Sequence, residues 1–192
     1  NGARFILVQL PEACAEKSEA FHAGYKTIAD ICKERLRRAG KKIQAEHPDK
    51  KLDVGFRVFK LDSSNIETWD PTFETLEDDL IAAVDNIKPD RCADDLLFEI
   101  LLKYGLDLSL PIETNDLGGK KVYVLGGGAL MVCFDKDLSM QTIEGIGQLK
   151  ERLQPEVLRV VFRDHCFEND KMKTNALHTL KQDYAITDIK SL

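Results

Sequence analysis

The sequence predicts an α/β fold, and three observations predict it. The first is the stretch RFILVQLPE, residues 4–12, in which Phe5 to Val8 is an unbroken apolar run. A run with no polar alternation suits a strand covered on both faces, as in a parallel sheet flanked by helices. The second is a long helical pattern that opens at Gly24-Tyr25 and aligns Ile28, Ile31, Cys32, Leu36, Ala39 and Ile43 on one stripe. The third is another strand pattern, FRVFKL at 56–61, introduced by Gly55. Strand, long helix and strand in that order read as one right-handed crossover unit of a parallel sheet.

The opening strand stops abruptly at Gln9, Leu10, Pro11 and Glu12. Ligands of open α/β sheets bind beyond the carboxyl ends of the strands, so these residues are candidates to hold a nucleotide-like cofactor. The second strand is closed by Asp62-Ser63-Ser64-Asn65, and in a parallel pair both strand ends lie on one edge. Asx-turn chemistry explains Asp62 and Asn65 equally well. Asn1-Gly2 reads as a turn into the strand. A fold seldom opens on a buried central strand, so a fragment of a longer protein, cut inside a domain, is the expectation.

Composition narrows the class. Of 192 residues, 43% are apolar and 31% charged, as in a globular protein with one good core. No apolar run reaches membrane-span length, and no signal-peptide pattern is present. The five cysteines (14, 32, 92, 133 and 166) have neither paired nor metal-ligand spacing, which predicts reduced thiols, a cytoplasmic setting and no metal site. The net charge of −6 hides a split: residues 1–66 carry 13 Lys/Arg against 9 Asp/Glu, and residues 67–192 carry 14 against 24. The basic first third suits an anionic polymer, and the acidic remainder does not. Arg35, Arg37, Arg38 and Lys41, on the polar faces of the long helix, are the candidate phosphate contacts, against the alternative of a plain solvated face.

His47-Pro48 ends that helix. Trp69-Asp70-Pro71-Thr72-Phe73 marks a boundary, with Asp70 as an N-cap and Pro71 in a first helical turn. The predicted domains are therefore 1–66 and 67–192. Residues 73–87 and 91–104 read as helices, the latter carrying Leu96, Leu97, Ile100 and Leu101 and stopping at Gly105. Leu106 to Ile112 reads as an extended link. KKVYVLGGGALMVCFD, 120–135, reads as a β-hairpin. Its Gly126-Gly127-Gly128 is not a phosphate loop, because a strand follows it and no Lys-Ser/Thr closes it. A helix over 139–153, a buried strand at 157–164, a helix over 171–183 and a short final strand in AITDIKSL complete a small α/β unit.

Taken together, RFILVQLPE, GYKTIADICKERLRRAGKKI, GFRVFKLDSSN, DLLFEILLKYGL, the hairpin and VVFRDHCFENDKMKTNALHTLKQ resemble the Mod subunits of type III restriction–modification systems, adenine-specific DNA methyltransferases of the beta class. The resemblance covers essentially the whole chain. It implies the C-terminal part of a Rossmann-like methyltransferase sheet followed by a C-terminal domain for dimerisation or docking of the restriction (Res) subunit. It also implies S-adenosylmethionine as cofactor and DNA, the Res subunit and a second Mod copy as partners. The family order puts the catalytic D-P-P-Y and the glycine-rich F-x-G-x-G motifs ahead of the strand matched by residues 5–10, and neither motif occurs in this sequence. No catalytic residue is therefore assigned, and the chain alone is expected to be inactive. Asp70-Pro71-Thr72-Phe73 is one residue from D-P-P-F but stands in the wrong order. Many such enzymes place an acid at the end of that strand to bond the ribose hydroxyls. Here Gln9 takes the place and Glu12 follows, so either is the ribose ligand, Pro11 packs on the adenine ring, and Asp62 and Asn65 are secondary cofactor candidates.

The competing reading is a non-enzymatic assembly module built on residues 67–192. A hydrolase using His165-Cys166 or Asp164 is disfavoured, because no oriented base or oxyanion site accompanies them.

Overall fold

The computed structural model describes residues 5–67 and 87–192. The chain divides into two compact units, residues 1–60 and 61–192. The expected helix over 73–87, Asp70 as its cap and the turn at Asn1-Gly2 lie outside the described residues.

In the first unit, Glu19–His22 forms a single helical turn, α1, capped by Ser18, whose side chain accepts from the Phe21 amide. Ile28–Glu46 forms the long helix, α2. Its start is fixed by a capping box: Thr27 Oγ1 accepts from the Asp30 amide at 3.2 Å, and Asp30 Oδ2 accepts from the Thr27 amide at 3.1 Å. The apolar stripe is only partly covered. Leu36 is half-buried, Ile43 is 45% exposed, and Gly40 is the one buried residue of the helix. Gly40 lets the 50s segment approach closely: a Cβ there would stand 3.2 Å from Val54 Cβ.

The two strands expected in this unit do not form. Residues 5–10 and 56–61 enter no ladder among the described residues, so there is neither a crossover unit nor a shared strand edge. Ile6 is 92% exposed, Val8 91% and Leu61 100%. The physical reason lies in what an apolar run encodes. It records that both faces are to be covered, but a strand exists only through hydrogen bonds to a neighbour, and no ladder reaches these segments.

The second unit bears out the α/β class. Ala93–Lys103 is α3, with Cys92 at its N-cap and the Cys92 amide donating to Asp95 Oδ2 at 2.9 Å. Five strands follow: β1 Ile112–Leu117, β2 Lys120–Leu125, β3 Leu130–Cys133, β4 Arg159–Phe162 and β5 Asp188–Ser191. Helices α4, Met140–Leu153, and α5, Asp170–Gln182, join β3 to β4 and β4 to β5. The sheet order is β1-β2-β3-β4-β5; the first two pairings are antiparallel and the last two parallel.

The predicted hairpin is β2–β3, and its Gly126–Gly128 turn is a short 3₁₀ segment. All three glycines have positive φ (59°, 67° and 103°), a region that side chains disfavour. A Cβ on Gly128 would also meet Leu153 Cβ at 3.3 Å, so the triplet is a packing turn. The sequence reading missed β1, taking its first residue as the end of a link. The pair Gly118-Gly119, both at positive φ, turns β1 into β2.

Period-two alternation divides the core between the two faces. Met131 and Cys133 pack with Ile143, Ile146 and Leu149 of α4 and Ala176 and Leu180 of α5. Leu130 and Val132 pack with Leu96, Leu97, Ile100 and Leu101 of α3. Two successive crossovers of one hand put α4 and α5 on the same face, leaving the other to α3. The carboxyl ends of β3, β4 and β5 share one edge as a result of their parallel pairing.

Candidate functional site

Gln9, Pro11 and Glu12 are exposed and lie beside the start of α2. The Ile28 amide donates to the Glu12 carbonyl at 2.9 Å, the Cys14 amide donates to the Lys26 carbonyl at 2.8 Å, and Ala13 bridges Thr27. Gln9 Nε2 donates to the Leu10 carbonyl at 3.1 Å. An internal carboxylate already serves this helix start. Hydrogen bonds from Lys33 and Thr27 to Asp30 hold its carboxyl down at about 2.

The candidate phosphate contacts Arg35, Arg37, Arg38 and Lys41 are all exposed on α2. Arg38 Nε donates to Glu34 Oε1 at 2.8 Å and its guanidinium reaches the Tyr25 hydroxyl at 3.3 Å. Arg37 pairs with Glu34 at 3.9 Å and lies 5.9 Å from the Phe56 ring centroid. One carboxylate thus answers two of the guanidinium groups, and the Arg38 contact comes first in lowering the Glu34 pKa.

Asp62 and Asn65 belong to the second unit, in a polar cluster in front of α3. Asp62 accepts from Arg91 Nη1 at 3.0 Å. Ser63 Oγ accepts from Lys88 Nζ at 2.9 Å and from Arg91 Nη2 at 3.3 Å. The Asn65 amide donates to Glu99 Oε2 at 2.8 Å, and its Nδ2 donates to the Asp95 carbonyl at 3.0 Å. Ser64 Oγ donates to Glu99 Oε1 at 2.6 Å, and Lys103 pairs with the same carboxylate at 2.9 Å. Burial pushes the Glu99 carboxyl up, but the donors Ser64, Lys103 and Asn65 outweigh it and bring the group to about 2.

Two cavities open at the carboxyl edge of β4 and β5. One, of about 420 Å³, is lined by Arg163, His165, Phe167, Lys173 and Lys190, with Glu168 and Asp170 at its wall. The other, of about 390 Å³, is lined by Ile87, Lys88, Pro89, Arg91 and Arg163. The sequence signal was present in VVFRDH, a buried strand that ends in ionisable residues. Sequence reasoning weighs Asp164, His165 and Cys166 there only for a hydrolase, because the cationic companions of this strand end come from distant elements.

Cys133 and Cys166 are buried, and burial pushes their thiols up to about 11 and about 12. Among the described residues no group of three or more His, Cys, Asp or Glu side chains is arranged to hold a metal ion. Among them, too, no helix is long and apolar enough to cross a membrane.

No family model matches the chain. Over 177 residues, 88% of its length, it is 36% identical to the type III restriction-modification enzyme EcoP15I Mod subunit of Escherichia coli. Over 74 residues, 38% of its length, it is 35% identical to the StyLTI Mod subunit of Salmonella typhimurium. The matched regions make up 24% and 10% of those proteins, so the chain spans about a quarter of the first relative. The resemblance read from the sequence motifs is borne out by both.

Proposed function

We propose, from the premise that this chain is a fragment of a type III Mod subunit, that it works as part of a site-specific DNA adenine methyltransferase. The parent enzyme would transfer the methyl group of S-adenosylmethionine to the exocyclic amine of adenine within a restriction–modification system. The observation that carries this reading is the 36% identity sustained over 88% of the chain.

The cofactor would be only partly served by the residues present. The Gln9 carboxamide and Glu12 carboxylate are exposed acceptors suited to ribose hydroxyls, and Pro11 offers an apolar face to an adenine ring. A glutamine accepts with less strength than a carboxylate, which gives Glu12 its claim. Asp62 and Asn65 stay secondary candidates. The glycine turn that would approach the methionine end, and the D-P-P-Y pocket that would stack an extruded adenine, are not in this sequence. The chain by itself is therefore inactive in this reading, and its contribution to the enzyme is cofactor binding, DNA contact through α2, dimerisation and docking of the Res subunit, in the cytoplasm.

The self-contained core of residues 61–192 favours one second reading, that this unit is an assembly module whose work is dimerisation or Res docking. Size-exclusion of the unit with and without a Res subunit separates the two. A unit that neither dimerises nor binds Res removes the assembly reading.

The main test has two parts. The reading frame upstream of Arg4 is expected to encode D-P-P-Y and F-x-G-x-G; a frame lacking both sinks the proposal. The 192-residue chain, titrated with S-adenosylmethionine in a calorimeter, is expected to show weak or no binding. Tight stoichiometric binding would show a complete site and overturn the partial one described.

A further inference from the structure

We propose that the carboxyl edge of the sheet in residues 61–192 is a track for the phosphates of a DNA strand, formed where the two cavities meet at Arg163. Arg163 lines both, so they adjoin at that residue. The cations gathered there come from separate elements: Lys88 and Arg91 precede α3, Arg163 follows β4, Lys173 lies in the first turns of α5, and Lys190 is in β5. Among the described residues, five cations line the combined edge with the carboxylates of Glu168 and Asp170, and Asp62 and Asp90 stand against Arg91 beside it, five cations to four carboxylates. That balance is the reverse of the unit as a whole, where residues 61–192 hold 14 Lys/Arg against 25 Asp/Glu. A local cationic strip on an acidic body focuses an anionic polymer onto one line and repels it elsewhere.

Part of the strip is preorganised. Ser63 Oγ accepts from both Lys88 and Arg91, and Asp62 orients the Arg91 fork. The Arg91 side chain is 14% exposed, and its Nε is buried and makes no hydrogen bond among the described residues. Asp90, 3.6 Å from that Nε, supplies charge but no hydrogen bond. A planar guanidinium held in this way suits phosphate oxygens, and lysines beside it act as point charges. Phe167, half-buried at the rim of the larger cavity, gives a base a surface to stack on. Cations spread across two adjoining open cavities suit a repeating anion better than a single small one.

The choice of DNA as the strand rests on the methyltransferase reading above; the cation geometry does not. A phosphate track here would be an exception to the sequence expectation that the acidic part of the chain avoids phosphates.

The test is the anisotropy of short labelled DNA, duplex and single-stranded, titrated with the full 192-residue chain at several salt concentrations. Lys173→Gln with Lys190→Gln, both exposed side chains, is expected to lower the slope of log affinity against log salt by about 0.9 for each cation removed with duplex, and by slightly less with single strands. Glu168→Gln, which removes an opposing charge, is expected to tighten binding several-fold. Neither AMP nor inorganic phosphate is expected to displace the DNA at concentrations where unlabelled DNA does. An unchanged slope in the double variant, absence of DNA binding by the wild-type chain, or displacement by AMP as effective as by DNA each overturns the track. A slope that falls only when the α2 cations are replaced also overturns it, while leaving the methyltransferase reading to stand or fall on the upstream motifs.

Discussion

Glu99 accepts the backbone amide of Asn65 at 2.8 Å and so pins the polar cluster before α3 to the helix itself. Its carboxyl sits at about 2 against an ordinary 4.5, burial pushing up and the donors Ser64, Lys103 and Asn65 pulling further down. A folded pKa below the unfolded one stabilises the fold above the unfolded value, and that stability is lost as pH falls through the folded value. The urea midpoint is therefore expected to drop as pH falls from 4.5 towards 2. Glu99→Gln should flatten that dependence and cost about 2 kcal/mol at neutral pH. An unaltered pH profile in the variant would assign the acid sensitivity to other groups.

Gly147 of α4 faces the ring of Tyr184, and a Cβ built on it would collide with Tyr184 Cγ, Cδ1 and Cδ2. Lys150, one turn further along, donates to the Tyr184 carbonyl and holds the same loop against the helix. The ring is partly buried against the core that α4 and α5 share. Gly147→Ala is expected to destabilise the chain by about 1–3 kcal/mol, although alanine favours helix. Urea unfolding followed by circular dichroism measures it, and a neutral or stabilising result would show that Tyr184 repacks freely.

The cysteines should label in a fixed order. Cys92 is exposed, Cys32 half-buried, and Cys14, Cys133 and Cys166 buried. Burial holds the thiols of Cys133 and Cys166 at about 11 and about 12, so almost no thiolate forms at pH 8. Mass spectrometry after brief alkylation is expected to find Cys92 modified first, with Cys133 and Cys166 modified only after denaturation. Rapid native labelling of Cys133 would contradict its place in the core.

The cations of α2 give a fourth expectation. Replacing Arg35, Arg37, Arg38 and Lys41 by glutamine should lower the salt slope of DNA binding by about one unit for each side chain that contacts a phosphate. Because Glu34 already engages Arg37 and Arg38, their loss should lower the slope less than that of Arg35 and Lys41. Four equal decrements would mean that DNA displaces the Glu34 pairs outright.

What the sequence made legible was local. The helices read over 139–153 and 171–183 and the β2–β3 hairpin all follow from side-chain periodicity and turn residues within a few positions. The strand at Arg159–Phe162 was readable because its apolar run is served by β3 and β5 on either side. The same kind of run at Phe5–Val8 misled, since periodicity reports which faces want covering and is silent about whether hydrogen-bonding neighbours exist. β1 went unseen because IETNDL, an edge strand, has too little apolar alternation to stand out. The site divides in the same way. Strand-end logic names Gln9, Glu12, Asp62 and Asn65 although residues 5–10 and 56–61 form no strand, and the convergence of Lys88, Arg163, Lys173 and Lys190 depends on a tertiary arrangement that no local window contains.

The order β1-β2-β3-β4-β5 is also the order in which the strands occur along the chain. During synthesis each strand finds its partner already made, and no strand waits for a later one to be inserted between two others. The β1–β2 and β2–β3 pairings close short turns, and the β3–β4 and β4–β5 pairings each span a single helix, which keeps contact order low. Once α3 has emerged, the topology permits the sheet to be extended strand by strand as the ribosome delivers it, from the hairpin of β1 and β2 towards β5.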